Sequence, residues 1–349
     1  MALKVEDLGV SEYHRVLRGT DDETGLDAIV AVHNIKLGPA LGGCRIMTYD
    51  SYEAHYADAL ALSKAMTYKN SLAGLDIGGG KASINTHGKP VTDEMLASFA
   101  EFMNFVNKDK TIYVTTGDVG SHNAILQEMA KNTHHVWGIK GNGDSGMSTA
   151  YGLYNAMLGA LRHTNRTMKG KRIAINGLGK VGGRTAEYCA RAGASLVVAD
   201  INTDLAETFA DKFGAKVVAH DEIHKESCDI YSPCALGQAI NETTVHELGC
   251  DIVCGGANNQ LATPDMMGLL TEQGISYVPD YLANAGGVIL IGLRGTDNWH
   301  LDWHSPEIIT RLDYLSDLTE EVLRVAEGQH NGDSSRVADM LAERRLVHY

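Results

Sequence analysis

The chain of 349 residues lacks long apolar runs, an excess of basic charge and closely paired cysteines, and each absence excludes a class of protein. No apolar run approaches the roughly 20 residues that a membrane-spanning helix needs, and the first residues lack the apolar core of a secretion signal. The formal net charge of −14 argues against nucleic acid or an anionic membrane as a partner. The six cysteines show no CxxC spacing, so we expect reduced, mostly buried thiols in a cytoplasmic protein.

What is present is typical of a soluble globular protein, with 44% hydrophobic and 21% charged residues. The length exceeds one ordinary core, so two domains are predicted. In the first, apolar residues at helical spacing from Ser51 predict a helix that ends near Gly74 and carries Lys69 on its last turn. The glycine-rich stretch 138–146 is the predicted hinge. After it, short strands alternate with helices, as in a doubly wound parallel sheet.

Two lysines raise the first question of function. The stretch AMTYKNSLAGLDIGGGKASI (65–84) places Lys69 and Lys81 on either side of an apolar segment that contains three consecutive glycines. A cation held against apolar surface costs free energy unless a ligand supplies the counter-charge. With Asp118, on a polar turn after a predicted strand, the lysines would suit a substrate that carries a carboxylate and a titrating amine. The residues alone leave open that both lysines are ordinary, solvated surface residues.

A glycine motif predicts a dinucleotide site. Gly177, Gly179 and Gly182 form G-x-G-x-x-G between a predicted strand and a predicted helix, and Asp200 ends the next strand. Gly177 permits the tight turn, Gly179 lets backbone approach a pyrophosphate, and Gly182 lets the helix pack closely on the strand. Asp200 would accept hydrogen bonds from the adenosine ribose and repel a 2′-phosphate, which favours NAD over NADP. The alternative is a glycine-rich turn that binds nothing.

Seven motifs then appear in order: LGPALGGCR (37–45), MTYKN (66–70), GGGK (78–81), DVG (118–120), PCALG (233–237), ANNQL (257–261) and PDYLANAGGV (279–288). Together they resemble the glutamate, leucine, phenylalanine and valine dehydrogenases over roughly residues 26–290, and most resemble the leucine dehydrogenases. The resemblance implies an α/β fold of two domains with an interdomain cleft. Residues 1–140 would form the substrate-binding and oligomerisation domain, and 141–328 a Rossmann-type NAD-binding domain. The C-terminal helices, 329–349, are expected to pack back on the first domain.

The resemblance also implies roles for individual residues. Lys81 would activate water at the imine carbon, Asp118 would exchange protons with the amino group, and Lys69 would bind the substrate α-carboxylate. Thr149 would contact the nicotinamide carboxamide. The other residues that it assigns are, for the substrate, Gly42, Gly43 and Met66, and, for the cofactor, Leu178, Lys180, Val181, Ile201, Cys234, Ala235, Leu236, Ala257, Asn258 and Asn259.

The substrate side chain is expected to meet Leu41, Thr116, Val288 and Ile291, a mostly aliphatic set. The implied reaction is the NAD-dependent, reversible oxidative deamination of an aliphatic, branched-chain L-amino acid to its 2-oxo acid and ammonia. Thr116 departs from the alanine usual in leucine dehydrogenases, so the exact amino acid stays open. The alternatives are a phenylalanine or tryptophan dehydrogenase and a catalytically silent NAD-binding regulator. The resemblance further implies a homo-oligomer, a dimer or an octamer.

Two further clusters are expected to be structural. His220 and His224 have helical spacing, but glutamate does not follow the first histidine as in a metalloprotease, and no metal site is predicted. The aromatic and histidine cluster from Trp299 to His304 is expected to be a packed loop or an interface cover.

Overall fold

A computed structural model of the protein describes residues 3–139, 144–295 and 301–347. The chain forms two compact units, each assembled from more than one segment. Unit 1 comprises Met1–Asn142, Ile291–His300 and Ala342–Tyr349, and unit 2 comprises Gly143–Leu290 and Leu301–Leu341.

Unit 1 contains a mixed sheet of six strands in the order β1-β2-β3-β5-β4-β6. The strands are β1 (Lys4–Asp7), β2 (Arg15–Asp21), β3 (Leu26–Asn34), β4 (Ala40–Met47), β5 (Gly78–Asn85) and β6 (Tyr113–Gly117). Strand β4 pairs in parallel with both β5 and β6, whereas the β1–β2, β2–β3 and β3–β5 pairs are antiparallel. The carboxyl-terminal parts of β4, β5 and β6 therefore lie side by side.

The helices of unit 1 are α1 (Tyr52–Leu72), α2 (Asp93–Val106) and α3 (Asn123–Met129). Ser51 caps α1, which begins where the sequence predicted, by accepting a hydrogen bond from the Ala54 amide, and Thr92 caps α2 by accepting from the Met95 amide. Helix α2 packs its apolar face, including Phe99 and Met103, into the main core of the unit.

Unit 2 contains a parallel sheet in the order β12-β11-β10-β7-β8-β9. The strands are β7 (Arg172–Asn176), β8 (Ser195–Ala199), β9 (Lys216–Val217), β10 (Cys228–Pro233), β11 (Cys250–Val253) and β12 (Ser276–Tyr277). This order places β7 where the two halves of the sheet diverge, which is the position of the ligand crevice in such folds. The predicted doubly wound α/β sheet is confirmed.

The remaining helices follow the same alternation. They are α4 (Asp144–His163), α5 (Gly182–Arg191), α6 (Thr203–Phe213), α7 (Met266–Glu272), α8 (Asp280–Ala283), α9 (Gly286–Arg294), α10 (Pro306–Gln329) and α11 (Ser334–Val347). Within the described part of the chain, none of the helices combines the length and the apolar character required to span a bilayer. All six cysteines are free thiols.

Candidate functional site

Lys81 and Asp118 meet in unit 1 because β4 lies between the strands that carry them. In the β4 register, Cys44 pairs with Ala82 of β5 on one side and with Gly117 of β6 on the other. Lys81 is only 5% exposed, and its Nζ donates a hydrogen bond to Oδ2 of Asp118. Lys81 is therefore a buried, paired cation and not a solvated surface lysine.

The surroundings of Asp118 keep it ionised. Burial opposes the charged form, but Lys81, the Val119 amide and Arg45 together outweigh burial and hold the pKa of Asp118 below its usual range. The Val119 amide donates to Oδ1 at 2.7 Å. The Asp118 amide itself donates to Oγ of Ser121 at 2.8 Å, which fixes the turn. At neutral pH the site thus contains a carboxylate that can accept a proton.

Two glycines of β4 allow the atoms around this site to pack closely. A Cβ on Gly43 would lie 2.7 Å from Cβ of Asp118, so only glycine leaves room for that carboxylate over β4. A Cβ on Gly42 would lie 1.8 Å from the carbonyl oxygen of Gly80 and 3.3 Å from Cγ of Met66. These contacts give both glycines a packing reason, besides the close approach to substrate that was predicted.

Lys69 is partly buried in the last turn of α1, and its neighbour Asn70 anchors that turn. The Asn70 side chain is fully buried and donates to the carbonyl oxygens of Leu41 at 3.1 Å and Gly78 at 2.7 Å. The end of α1 is thereby tied to β4 and to the start of β5.

The same turn is held by the end of α11, within unit 1. Arg345 donates to the carbonyl oxygen of Ser71 at 2.7 Å and pairs with Asp76 at 2.9 Å. The hydroxyl of Ser71 donates to the carbonyl oxygen of Ala342 at 2.7 Å. Residues far apart in sequence thus complete the segment that presents Lys69.

Three of the four residues predicted to meet the substrate side chain, Leu41, Thr116 and Ile291, belong to unit 1. A Cβ on Gly138 would lie 2.7 Å from Oγ1 of Thr116 and 3.5 Å from Cδ1 of Ile291, so these three residues are neighbours. Leu41 is buried in β4 and pairs with Val114 of β6. Val288 belongs to unit 2. The hydroxyl of Thr116 and the aliphatic side chain of Ile291 therefore both lie next to Gly138.

The glycine motif in unit 2 forms a tight turn between β7 and α5. Gly177 has φ +97, and a Cβ there would lie 2.9 Å from Ala235. A Cβ on Gly182 would lie 1.9 Å from the carbonyl oxygen of Gly177, and also close to Cys234. A Cβ on Gly179 would meet nothing within 4 Å, which leaves open space on that side of the turn.

Asp200 ends the neighbouring strand and is bonded to the same turn. Its Oδ2 accepts from the Leu178 amide at 2.6 Å, and its Oδ1 accepts from the Asn202 amide at 2.8 Å. Each oxygen keeps a further lone pair for a ribose hydroxyl. The turn, the open face at Gly179 and this carboxylate fit a dinucleotide.

Other residues predicted to contact a cofactor also lie in unit 2. Oγ1 of Thr149 donates to the carbonyl oxygen of Ser145 at 2.6 Å, and Oδ1 of Asn258 accepts from Asn284 at 2.7 Å. Asn259 has φ +51, a conformation that asparagine tolerates well. The remaining members differ in exposure: Ile201 and Leu236 are largely exposed, Lys180 is exposed, Val181 is partly buried, and Leu178 and Ala257 are buried.

The two clusters expected to be structural have ordinary contacts. Nε2 of His224 lies 2.8 Å from the Glu247 carboxylate, and the described residues hold no group of three metal-ligating side chains. Trp303 packs on Tyr151, with ring centroids 6.2 Å apart. Trp299 lies outside the described residues.

Sequence reasoning missed three residues that shape these sites: Arg45, Asn70 and Asn284. Each stands inside one of the seven motifs, and two of them, Arg45 and Asn284, directly follow or interrupt short apolar or glycine-rich stretches. That contrast was the available signal. Their partners are distant in sequence, so their roles required the fold.

Comparison with known proteins agrees with this arrangement. Residues 13–135 match the family model for the Glu/Leu/Phe/Val dehydrogenase dimerisation domain, and residues 141–208 and 198–348 match the Glutamate/Leucine/Phenylalanine/Valine dehydrogenase model. The chain therefore belongs to the glutamate, leucine, phenylalanine and valine dehydrogenase family, and it is an amino-acid dehydrogenase by that membership.

Individual relatives cover nearly the whole chain. A leucine dehydrogenase from Geobacillus stearothermophilus is 37% identical over 96% of this chain and 91% of its own length. A phenylalanine dehydrogenase from Thermoactinomyces intermedius is 37% identical over 93% and 88%. The crystal structure of L-tryptophan dehydrogenase from Nostoc punctiforme superposes with a TM-score of 0.84 at 30% identity, covering 97% of this chain and 96% of that one.

Proposed function

We propose that the protein catalyses the NAD-dependent, reversible oxidative deamination of an aliphatic, branched-chain L-amino acid to its 2-oxo acid and ammonia. The observation that carries the proposal is the buried pair in unit 1 formed by Lys81 of β5 and Asp118, directly after β6. A buried ion pair is weak evidence for stability, but a buried amine and carboxylate in contact are suited to proton transfer.

Each residue has a defined task in this proposal. The Lys69 ammonium binds the substrate carboxylate, and Asp118 accepts the proton that the substrate ammonium must lose. A bound NAD would supply the hydride acceptor, so that loss of hydride from Cα converts the substrate amine into an iminium. Lys81, after its own proton has passed to solvent, removes a proton from water as the water oxygen adds to that carbon. Asp118 returns its proton to the amine, and the hydroxyl of the carbinolamine gives up its proton as ammonia leaves. Positioned acid–base groups of this kind contribute about 10²–10⁴-fold.

The proposed cofactor preference rests on Asp200. Its carboxylate would accept hydrogen bonds from the adenosine ribose, and its negative charge would repel a 2′-phosphate. Gly177, Gly179 and Gly182 would bring backbone amides of the turn to the pyrophosphate, where the start of α5 favours negative charge.

The proposed substrate class rests on Leu41, Thr116, Val288 and Ile291. These side chains offer no cation for a second carboxylate, so a glutamate side chain has no partner among them. An aromatic L-amino acid is the second candidate, because the phenylalanine dehydrogenase and the L-tryptophan dehydrogenase compared above are also similar to this chain. One methylene changes substrate preference by only about 1–3 kcal/mol. These side chains would therefore discriminate between aliphatic and aromatic substrates more strongly than between two amino acids of the same class.

We further propose a homo-oligomer, because unit 1 contains the match to a dimerisation domain, and a cytoplasmic location. Sedimentation measurements would test the former.

The decisive test is a substrate panel with NAD and NADP side by side, followed at the NADH absorbance band. We expect turnover with leucine, isoleucine and valine, weaker turnover with phenylalanine, and a preference for NAD. Lys81→Ala should lose turnover by at least about 10²-fold while NAD still binds. Lys64→Ala, at an exposed position of α1, is the matched control. Absence of turnover with every amino acid, or full activity in Lys81→Ala, would refute the proposal.

A further inference from the structure

A second cation lies against Asp118. Nε of Arg45, on β4, is 3.9 Å from Oδ2 of Asp118, the same oxygen that accepts from Lys81. This Nε is buried and has no hydrogen-bond partner, whereas Nη1 of the same guanidinium donates to both carboxylate oxygens of Asp58 at 3.0 and 3.1 Å. One end of the guanidinium is thus anchored, and the other carries an unused donor close to the site carboxylate, Asp118.

The anchor is itself held in place. Tyr49 donates to Oδ2 of Asp58 at 2.7 Å, and its ring stacks on His55 with centroids 4.6 Å apart. His55 is fully buried and lies 2.8 Å, through Nε2, from Oγ of Ser83 on β5. The chain of contacts from Asp58 therefore returns to the strand that carries the active lysine, and the guanidinium has little freedom to turn away.

Lys81 alone cannot keep the site carboxylate paired throughout the proposed reaction. When Lys81 gives up its proton, Asp118 loses its nearest cation while it stays largely buried. An arginine keeps its charge at any pH that an enzyme meets, so it is the suitable second partner. An isolated buried carboxylate would otherwise bind a proton and lose its function.

We propose that Arg45 is a positioning residue that keeps Asp118 in place, and ionised until it accepts the proton of the substrate ammonium, while Lys81 passes between its charged and neutral forms, with the free Nε–H closing onto Asp118 in the neutral stage. This inference rests on the proposed function only in giving Lys81 a neutral stage. The pairing of Arg45 with Asp118 is a property of the chain alone.

The other titratable groups that act on the site carboxylate do not supply a positive charge. Cys44 of β4, Tyr113 of β6 and Tyr49 before α1 all act on it. Burial raises the pKa of each of these groups, so all three stay neutral. Among the groups that act on the pKa of Asp118, Lys81 and Arg45 are the cations.

The test compares Arg45→Gln, Arg45→Lys and Asp58→Asn with wild type. Arg45→Gln removes a positive charge beside the Lys81–Asp118 pair, so the pair holds its protons more tightly. The ascending limb of the kcat/KM profile, which reports the last proton that the pair must lose, should therefore move to higher pH by about one unit, at the low end of what a cation at this distance produces. Its kcat should fall about ten- to hundredfold with NAD affinity unchanged. Arg45→Lys keeps a positive charge but lacks the forked guanidinium. It should therefore restore the wild-type position of the ascending limb while kcat stays low. Asp58→Asn keeps the charge of Arg45 but weakens the anchor of its guanidinium. It should therefore lower kcat without moving the ascending limb.

Arg18→Gln is the matched control, because Arg18 forms an equivalent ion pair with Asp27 in the same unit, at 2.9 Å. It should lower thermal stability and leave the pH limb unchanged. A second measurement needs no turnover: titration of the Asp118 carboxyl by ¹³C NMR, assigned with Asp118→Asn, should give a higher pKa in Arg45→Gln than in wild type. A wild-type limb and a wild-type carboxyl titration in Arg45→Gln would overturn the inference. A wild type without turnover would refute the proposed function alone, since the NMR titration still decides the role of Arg45.

Discussion

Asp200 combines two tasks in one carboxylate. Its Oδ2 fixes the Leu178 amide at the start of the glycine turn, while its Oδ1 fixes the Asn202 amide before α6. Both bonds are of the charge-assisted kind, which are shorter and about twice as strong as neutral ones. The residue that is proposed to read the ribose therefore also shapes the turn that is proposed to bind the pyrophosphate.

Asp200→Asn should therefore weaken NAD more than NADP. The amide keeps the size of the carboxylate but loses the charge, and a hydrogen bond to a charged group is worth about 1.5–3 kcal/mol, or at least about tenfold in Kd. The loss of repulsion should bring the NADP affinity closer to that for NAD. Calorimetric titration with both cofactors measures the ratio, with Asp204→Asn, exposed on α6, as control. An unchanged ratio of the two Kd values would show that Asp200 does not discriminate.

The turn between β7 and α5 contains two glycines with opposite surroundings. Gly182 packs against backbone, since a Cβ there would be 1.9 Å from the carbonyl oxygen of Gly177, whereas a Cβ on Gly179 would meet no protein atom within 4 Å. One glycine is thus required by the fold of the turn, and the other is free to serve a ligand.

Alanine at these two positions should separate folding from binding. Gly182→Ala should lower the thermal midpoint and weaken NAD together, because the turn has to open. Gly179→Ala should keep the wild-type midpoint and still weaken NAD by about tenfold or more, since the methyl group would occupy the space proposed for the pyrophosphate. Differential scanning fluorimetry and NAD titration on both variants measure this. If Gly179→Ala binds NAD as wild type does, the pyrophosphate does not lie on that face of the turn.

Local signals predicted much of the element structure, and long-range contacts account for what they missed. Ser51 stands directly before an apolar run of helical period, so α1 begins where expected. Arg45 offered no such signal, because its partners Asp58 and Asp118 become neighbours only when β4, α1 and β6 have packed. The pairing of Lys81 with Asp118 likewise depends on β4 lying between β5 and β6.

The response of the molecule to acid should be concentrated in unit 1. Burial lowers the pKa of His14, His33, His55 and His135 from 6.5, and all four lie in that unit. A folded-state pKa below the unfolded value means that the unfolded chain binds protons first. The stability that these four histidines contribute is therefore fully present above pH 6.5 and is lost as the pH falls below it.

We expect the thermal midpoint to fall between pH 7 and pH 5.5, with unit 1 unfolding first. Fully buried His55 should contribute most, at most about 1.4 kcal/mol for each pH unit below its unfolded pKa. His55→Gln cannot titrate, so its midpoint should depend less steeply on pH than that of wild type, whatever its absolute stability. Scanning fluorimetry from pH 5 to pH 8 compares the slopes. Parallel curves would show that His55 does not carry the acid response.

The contact between Ser71 and Ala342 spans 271 positions of the chain. During synthesis, the turn that presents Lys69 emerges from the ribosome long before the residues that clasp it, so the nascent first unit spends most of translation with that turn unfastened. Fragments cut before residue 342 would lack this contact, and a newly made chain completes the turn that presents Lys69 only after its late segment has docked.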